Sequence, residues 1–245
     1  MRKYHVTQWS LLIILGTFSY LFYTVPVVLP QIDRVYLTTT TFFFSIVTGF
    51  FIAQQVARYA KIREVISTFD GRISSVFRSA GNISGEAQKH IGEIIVKHYN
   101  VVLGKKEWDY HFTHKSETLI SIHAALEKYM DKKSLTPLKT HSLARIISNL
   151  SDCEVARKNM VMLHEERIPQ FHWFVISFFI LVLLVAIAAI PSEGLLLESV
   201  LKSAYGVSLF SVASILYHLD VLHLFEHFVG ENSAKDVILL IEGKK

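Results

Sequence analysis

The amino-acid sequence predicts an all-α integral membrane protein with four transmembrane helices and a cytoplasmic helical bundle between the second and the third. Three observations predict this class. The chain has 245 residues, of which 51% are hydrophobic and only 19% are charged, and its mean hydropathy is +0.36. The apolar residues gather near both ends, in segments that reach the roughly 20 helical residues needed to cross about 30 Å of hydrocarbon. The middle of the chain has apolar residues at helical spacing and no strand pattern.

Four apolar segments are predicted to span the membrane. They run from about Trp9 to Leu29, from Val35 to Ala57, from Phe171 to Ile190 and from Leu195 to Leu219. The first follows Arg2 and Lys3, as a signal sequence would, but its apolar run is too long and no cleavage motif closes it, so a retained helix is predicted. The fourth contains Glu198 and Lys202 one helical turn apart, a pair that neutralises itself near a membrane boundary.

The four spans divide the chain into four parts. Residues 1–57 hold spans one and two, residues 58–170 a cytoplasmic bundle of four to five helices, residues 171–222 spans three and four, and residues 223–245 a cytoplasmic tail. The bundle is predicted to be continuous with spans two and three. Helix breaks are predicted at GNISGE (81–86), with Ser84 as N-cap, and around Pro137. Apolar stripes at helical spacing comprise Ile91, Ile94, Ile95, Tyr99 and Val102, and Leu143, Ile146, Ile147 and Leu150.

Basic residues predict the orientation in the membrane. Arg58, Lys61 and Arg63 follow span two directly and Arg167 precedes span three, whereas the short loops on the other side contain few Lys or Arg. By the positive-inside rule, both termini and the bundle are predicted to lie in the cytoplasm. The net charge of +4 reflects this topology. No compact basic cluster with interleaved aromatic residues indicates nucleic-acid binding.

The second span carries a polar stripe within TTTTFFFSIVTGFFIAQQ (38–55). On a helix, one side of this segment holds Thr38, Thr41, Ser45, Thr48 and Gln55. Lipid offers these groups no partners, so the stripe is predicted to face protein or water. Three interpretations remain open: internal packing with hydroxyls bonded to their own helix, the lining of a water-filled pore, and a lipid or ligand cleft. A pore requires a closed ring of subunits, because four short spans do not enclose one.

The phenylalanines of this span lie on its other sides. They are either lipid contacts or, in a ring of subunits, a hydrophobic constriction that gates by dewetting. The candidates for pore lining or gating are therefore Thr41, Phe43, Ser45, Thr48, Phe50, Phe51 and Gln55. Arg58 and Arg63 would concentrate anions at a pore mouth, although topology alone also explains their presence.

The segment before the third span resembles the bestrophin-like family of bacterial membrane proteins. The resemblance rests on Leu150-Ser151-Asp152, Arg157, Ile168-Pro169 and Trp173 within ISNLSDCEVARKNMVMLHEERIPQFHWFVISFF. Three further stretches are similar to the family: HYNVVLGKKEWDY with Tyr99 and Glu107-Trp108, FFIAQQVARYAKIREVISTF after span two, and LDVLHLFEHFVGEN after span four. The last departs from the family pattern, since His227 stands where the family has proline and Val229 separates Phe228 from Gly230.

The resemblance implies an assembly and a function. Bestrophins proper are pentameric anion channels in which the second span lines the pore and an apolar neck narrows it. By resemblance, this chain forms a homo-oligomer in a bacterial inner membrane, with a pentamer favoured, and passes small anions. Its neck candidates are Phe43, Val47, Phe50 and Phe51. The alternative is a non-conducting membrane scaffold or sensor whose cytoplasmic bundle binds a partner.

Other residue patterns indicate a function less clearly. Asp220, His223, Glu226 and His227 share one face if the helix continues, and such a set can bind a divalent cation, but a solvated face at the membrane exit is the preferred interpretation. No nucleophile elbow, P-loop, HExxH or glycine-rich phosphate loop occurs, so neither an enzyme nor a cofactor is predicted. Cys153 is the one cysteine and cannot form an internal disulfide. The partners expected are membrane lipids, small ions and further copies of the chain.

Overall fold

The computed structural model describes residues 13, 15–24, 34–105, 109–114, 117–129, 136–190, 196–222 and 230–243. This part of the chain is helical and contains no strand. Helix α1 covers residues 15–24. The helices that follow are α2 (Arg34–Gly81), α3 (Gly85–Lys105), α4 (Tyr110–Thr113), α5 (Thr118–Tyr129), α6 (Pro137–Glu165), α7 (Gln170–Ala188), α8 (Leu196–Asp220) and α9 (Gly230–Glu242).

The chain separates into two compact units. The first, which we call the span unit, comprises Met1–Val56 and Arg167–Val221. The second, which we call the bundle unit, comprises Ala57–Glu166 and Leu222–Lys245. The helix α2 contributes its first part to the span unit and the remainder to the bundle unit.

Three described segments are long and apolar enough to cross a membrane. They are Val35–Gly81, Pro137–Ala188 and Leu196–Asp220, and they contain the predicted spans two, three and four. Of the first predicted span, Trp9 to Leu29, the structure describes only residue 13 and residues 15–24, which are helical. The chain is therefore a helical membrane protein, and the count of four spans stays a prediction.

The helix α2 continues beyond Ala57, the predicted end of span two, as the predicted continuity of span two with the bundle requires. It continues without interruption to Gly81, because apolar residues keep their helical spacing and give α2 a buried face within the bundle unit. Gly81 ends the helix, and the Oγ of Ser84 accepts a hydrogen bond from the N–H of Ala87 at 3.0 Å. The predicted N-cap is thus confirmed.

The bundle was predicted to be continuous with span three, but a break separates the helix α6 from the helix α7. The helix α6 begins at Pro137, with the Oγ1 of Thr136 accepting from the N–H of Lys139 at 3.5 Å, and it ends at Glu165. Pro169 then forms the N-cap position of α7. Since proline lacks an N–H and restricts the residue before it to extended backbone, the helix stops and restarts at this point.

Asp220 stabilises this break from the end of α8. The N–H of Ile168 precedes α7 and has no partner within that helix, so it donates to the Oδ1 of Asp220 at 2.8 Å. Both residues are buried. At the other end of α7, the Nζ of the buried Lys202 donates to the carbonyl oxygen of Ile190 at 2.6 Å. This contact is stabilising because a cation at a helix C-terminus interacts favourably with the helix dipole.

The core of the span unit joins α2, α7 and α8. Its buried residues are Phe44, Phe51, Ile168, Ile176, Ile180, Leu183, Leu209 and Leu216. The predicted stripes of the bundle unit are largely buried too. Tyr99 and Leu150 lie in the core, but Ile147 is exposed, because α6 turns this residue away from its neighbours.

Gly92 is the point of closest helix packing in the bundle unit. A Cβ atom added to Gly92 would lie 3.0 Å from the Cε2 of Phe77 and 3.1 Å from the Cγ2 of Ile241. These distances are shorter than ordinary van der Waals contact. The absence of a side chain at this position therefore lets α2, α3 and α9 approach one another.

Replacing Gly92 with alanine is expected to lower the free energy of unfolding by about 1 kcal/mol, because overpacking costs more than the gain in helix propensity. Gly71 provides a matched control, since it is exposed within α2 and has no atom within 4 Å of an added Cβ. Gly71→Ala should raise stability by about 0.5–1 kcal/mol. Thermal unfolding of the full chain in detergent, followed by circular dichroism, measures both, and equal effects would contradict the close packing.

Candidate functional site

The polar stripe of α2 finds hydrogen-bond partners within the chain. The hydroxyls of Thr41, Ser45 and Thr48 each donate to the carbonyl oxygen four residues earlier, at 2.7–2.8 Å. The Oγ1 of Thr41 also lies 3.0 Å from the phenol oxygen of Tyr205 on α8. Thr48 and Gln55 are buried, whereas Ser45 is exposed. This stripe can therefore satisfy its polar groups within the chain, as the internal-packing interpretation requires.

The apolar candidates of α2 divide between a buried and an exposed side. Phe51 packs in the core of the span unit, and its ring forms a T-shaped contact with His172 at a centroid distance of 4.9 Å. Val47 is partly buried against the same core. Phe43 and Phe50 instead expose 51% and 64% of their surface. Within one chain, only these last two are available to meet lipid, water or a second copy.

Phe43 and Phe50 belong to a continuous exposed side of α2, which we call the open face. It comprises Phe43, Ile46, Phe50, Ala53 and Gln54. Their spacing of three, seven, ten and eleven residues places them on one side of an α-helix. Gln54 forms no hydrogen bond with any other described residue. Gln54 was not among the candidates predicted from the sequence, although its position four residues after Phe50 was a usable signal.

Arg58 is engaged within the bundle unit rather than displayed on its surface. It is 3% exposed, and its Nε and Nη2 donate to the carbonyl oxygens of Leu163 and His164 at 2.6 and 2.8 Å. These carbonyls belong to the last turn of α6 and have no partner in their own helix. Arg63 is exposed and forms no hydrogen bond or ion pair with another described residue. Of the two predicted pore-mouth cations, only Arg63 is accessible.

A second side-chain contact lies at the same helix end. The Nε2 of His164 is 3.2 Å from the Oδ2 of Asp109, which precedes α4. The ion pair between Arg72 on α2 and Asp152 on α6 has the same length, 3.2 Å, and both side chains are partly exposed.

Cys153, next to Asp152, is buried, and burial raises the pKa of its thiol to about 12. The thiol is therefore protonated and unreactive at neutral pH.

A buried carboxylate connects three helices of the bundle unit. The hydroxyl of Tyr99 on α3 donates to the Oδ1 of Asp70 on α2 at 2.5 Å, and the hydroxyl of Ser233 on α9 donates to the Oδ2. Burial raises the pKa of Asp70, and the two hydrogen bonds oppose this only in part. The pKa of Tyr99 is also raised, first by burial and then by the neighbouring carboxylate.

Two stacked histidines lie close to this carboxylate. The rings of His98 and His111 are 3.7 Å apart, and burial, followed by the charge of His111, lowers the pKa of His98 to about 3. Burial is also the main cause that lowers the pKa of His111. The Nε2 of His111 lies 2.8 Å from the carbonyl oxygen of His98 and must carry the proton, since a carbonyl only accepts. Both rings are therefore neutral near pH 7.

Several residues singled out in the sequence lie outside the described residues. They are Glu107, Trp108, His223, Glu226 and His227. Of the possible metal-binding set, only Asp220 is described, and its Oδ1 accepts the Ile168 N–H. Among the described residues, no group of three or more His, Cys, Asp or Glu side chains is arranged to hold a metal ion.

A family model described as a bestrophin-like domain matches residues 24–237, well over half of the chain. None of the curated proteins and none of the solved structures matches.

Removing the guanidinium of Arg58 is expected to destabilise the bundle unit. Arg58→Gln should lower the free energy of unfolding by about 2–4 kcal/mol, because two charge-assisted hydrogen bonds are lost and two helix-end carbonyls lose their partner. Arg63→Gln is the matched control and should change it by less than about 0.5 kcal/mol. Thermal unfolding in detergent measures both, and similar stabilities would show that Arg58 contributes no more than a surface cation.

Asp70 is expected to give stability a pH dependence of known sign. Its folded pKa lies above the ordinary value of 3.8, so the folded state binds more protons between these values. Stability contributed by Asp70 should fall as the pH rises from 3.8 through the raised pKa. Asp70→Asn should remove this slope, whereas Asp236→Asn, at an exposed position on α9, should retain it. Unfolding temperatures across this pH range test the difference, and an unchanged slope in Asp70→Asn would contradict it.

Proposed function

The chain belongs to the bestrophin-like family, and from this premise we propose that it is an oligomeric membrane channel that passes small anions. Its pore is lined by α2. The observation that carries the proposal is the open face, whose residues are exposed while the opposite side of α2 packs in the core of the span unit. A closed ring of copies would bring this face to a common axis.

Gln54 favours an axis over lipid. A carboxamide in hydrocarbon without a hydrogen-bond partner is costly, and Gln54 has none among the described residues. Water in a pore, or an ion passing through it, would supply that partner. Phe43 and Phe50, two helical turns apart, would form the apolar neck beside it.

The proposal redistributes the roles predicted from sequence. Phe51, Thr48 and Gln55 are assigned to packing within the subunit, because they are buried in the single chain. Phe50 and Gln54 are assigned to the neck and to the polar segment beside it. This assignment follows from which side chains the chain itself leaves exposed.

The bundle unit and the basic residues after Gln54 would surround the proposed pore. The bundle unit would lie in the cytoplasm of a bacterial cell, form a vestibule and supply contacts between subunits, with both termini on the same side. Lys61 and Arg63 are exposed and follow Gln54 by seven and nine residues along the chain. Their positive charge would raise the local concentration of anions. A pentamer is the assembly that the family resemblance favours.

Reconstitution of the purified chain in liposomes tests the proposal. Chloride flux should appear, and Phe50→Ala should change it severalfold, because the substitution widens an apolar constriction. Phe178→Ala is the matched control, since Phe178 is similarly exposed but lies on α7. The mass of the native assembly should correspond to a ring of more than two copies.

Two outcomes would contradict the channel. A dimer has no room for a shared axis lined by α2. A ring that carries no ion of either sign at any pH would instead be a non-conducting scaffold or sensor, the alternative function that the sequence leaves open.

A further inference from the structure

A partly enclosed cavity of about 200 Å³ lies within the bundle unit. Part of its lining is apolar and aromatic, from Phe69, Phe112 and Leu119. Another part is charged, from Arg157, Lys158 and Glu154. The volume is below the roughly 300–1,000 Å³ of sites for drug-sized molecules, so the cavity is suited to a smaller ligand.

Arg157 brings positive charge to this cavity without a carboxylate partner. Its Nε and Nη2 donate to the backbone carbonyl oxygens of His111 and His114, both at 3.3 Å. A guanidinium has five N–H donors, and neutral carbonyls leave its charge uncompensated. No carboxylate among the described residues lies within ion-pair distance of Arg157. The side chain therefore retains donors for a ligand.

The other polar groups set the charge that the cavity accepts. His98 and His111 line it as neutral rings and add no positive charge. Two cations, Arg157 and Lys158, and one carboxylate, Glu154, give a net lining charge of +1. A ligand with a single negative charge balances this lining, whereas a dianion would meet the carboxylate of Glu154 uncompensated.

We propose that this cavity binds a small monocarboxylate with an apolar body, of about the size of benzoate. The carboxylate would pair with the guanidinium of Arg157, a geometry that planar forks favour. The apolar body would pack against Phe69 and Phe112. This site lies in the bundle unit and does not depend on ion conduction, so the inference stands or falls separately from the channel.

Binding to the full chain in detergent, measured by calorimetry and by thermal unfolding, tests the site with three probes. Benzoate should bind and raise the unfolding temperature. Benzyl alcohol has the same body without the charge, and inorganic phosphate has charge without the body, so both should bind at least about tenfold more weakly. Arg157→Gln should weaken benzoate binding by about tenfold or more. Arg145→Gln, at an exposed position on the same helix, should leave it unchanged.

A second variant is needed because Arg157 also donates to two backbone carbonyl oxygens, so its removal could change the fold as well as the site. This variant leaves Arg157 in place. Ile120→Trp alters an exposed residue of the lining and should narrow the cavity, abolishing benzoate binding without lowering the unfolding temperature of the ligand-free protein. The proposal is overturned if the wild-type chain does not bind benzoate or if phosphate binds equally well. It is also overturned if Arg157→Gln and Ile120→Trp both bind benzoate as the wild type does.

Discussion

The packing of Phe44 and Phe51 against α7 and α8 fixes the rotation of α2 about its own axis, and every assignment of an α2 side chain to the proposed pore depends on that rotation. A helix turned by a third of a revolution would expose a different set of side chains. With this rotation, the hydroxyl stripe borders the protein interior, and the open face carries Phe50 and Gln54. The apolar core of the span unit therefore determines which residues of α2 reach a neighbouring copy, lipid or water.

Four residues that carry the family resemblance make contacts that stabilise the fold. Asp220 receives the buried N–H of Ile168. Tyr99 donates to the buried carboxylate of Asp70, and Asp152 pairs with Arg72. Each contact connects segments that are far apart in the sequence. These four residues of the resemblance thus have architectural roles in the described structure.

Local physics made much of this fold predictable from the sequence. The ends of spans three and four, the cap at Ser84 and the apolar stripe of α3 follow from hydropathy, capping and helical period, which involve only neighbouring residues. The continuation of α2 beyond Ala57 to the break at Gly81 was predictable too, because the bundle was expected to be continuous with span two. Periodicity also revealed that α2 has a polar side, but which side faces α7 and α8 depends on packing between distant segments. For the same reason, the partners of Arg58 and the cavity beside Arg157 were not predictable from sequence.

The buried, protonated thiol of Cys153 makes the natural chain a suitable background for site-directed labelling. Because it is the sole cysteine of the sequence and does not react while folded, a thiol introduced elsewhere would be the one modified first by a water-soluble reagent. Substituted-cysteine accessibility along α2 can therefore distinguish side chains that meet water from those that meet acyl chains, without first constructing a cysteine-free variant.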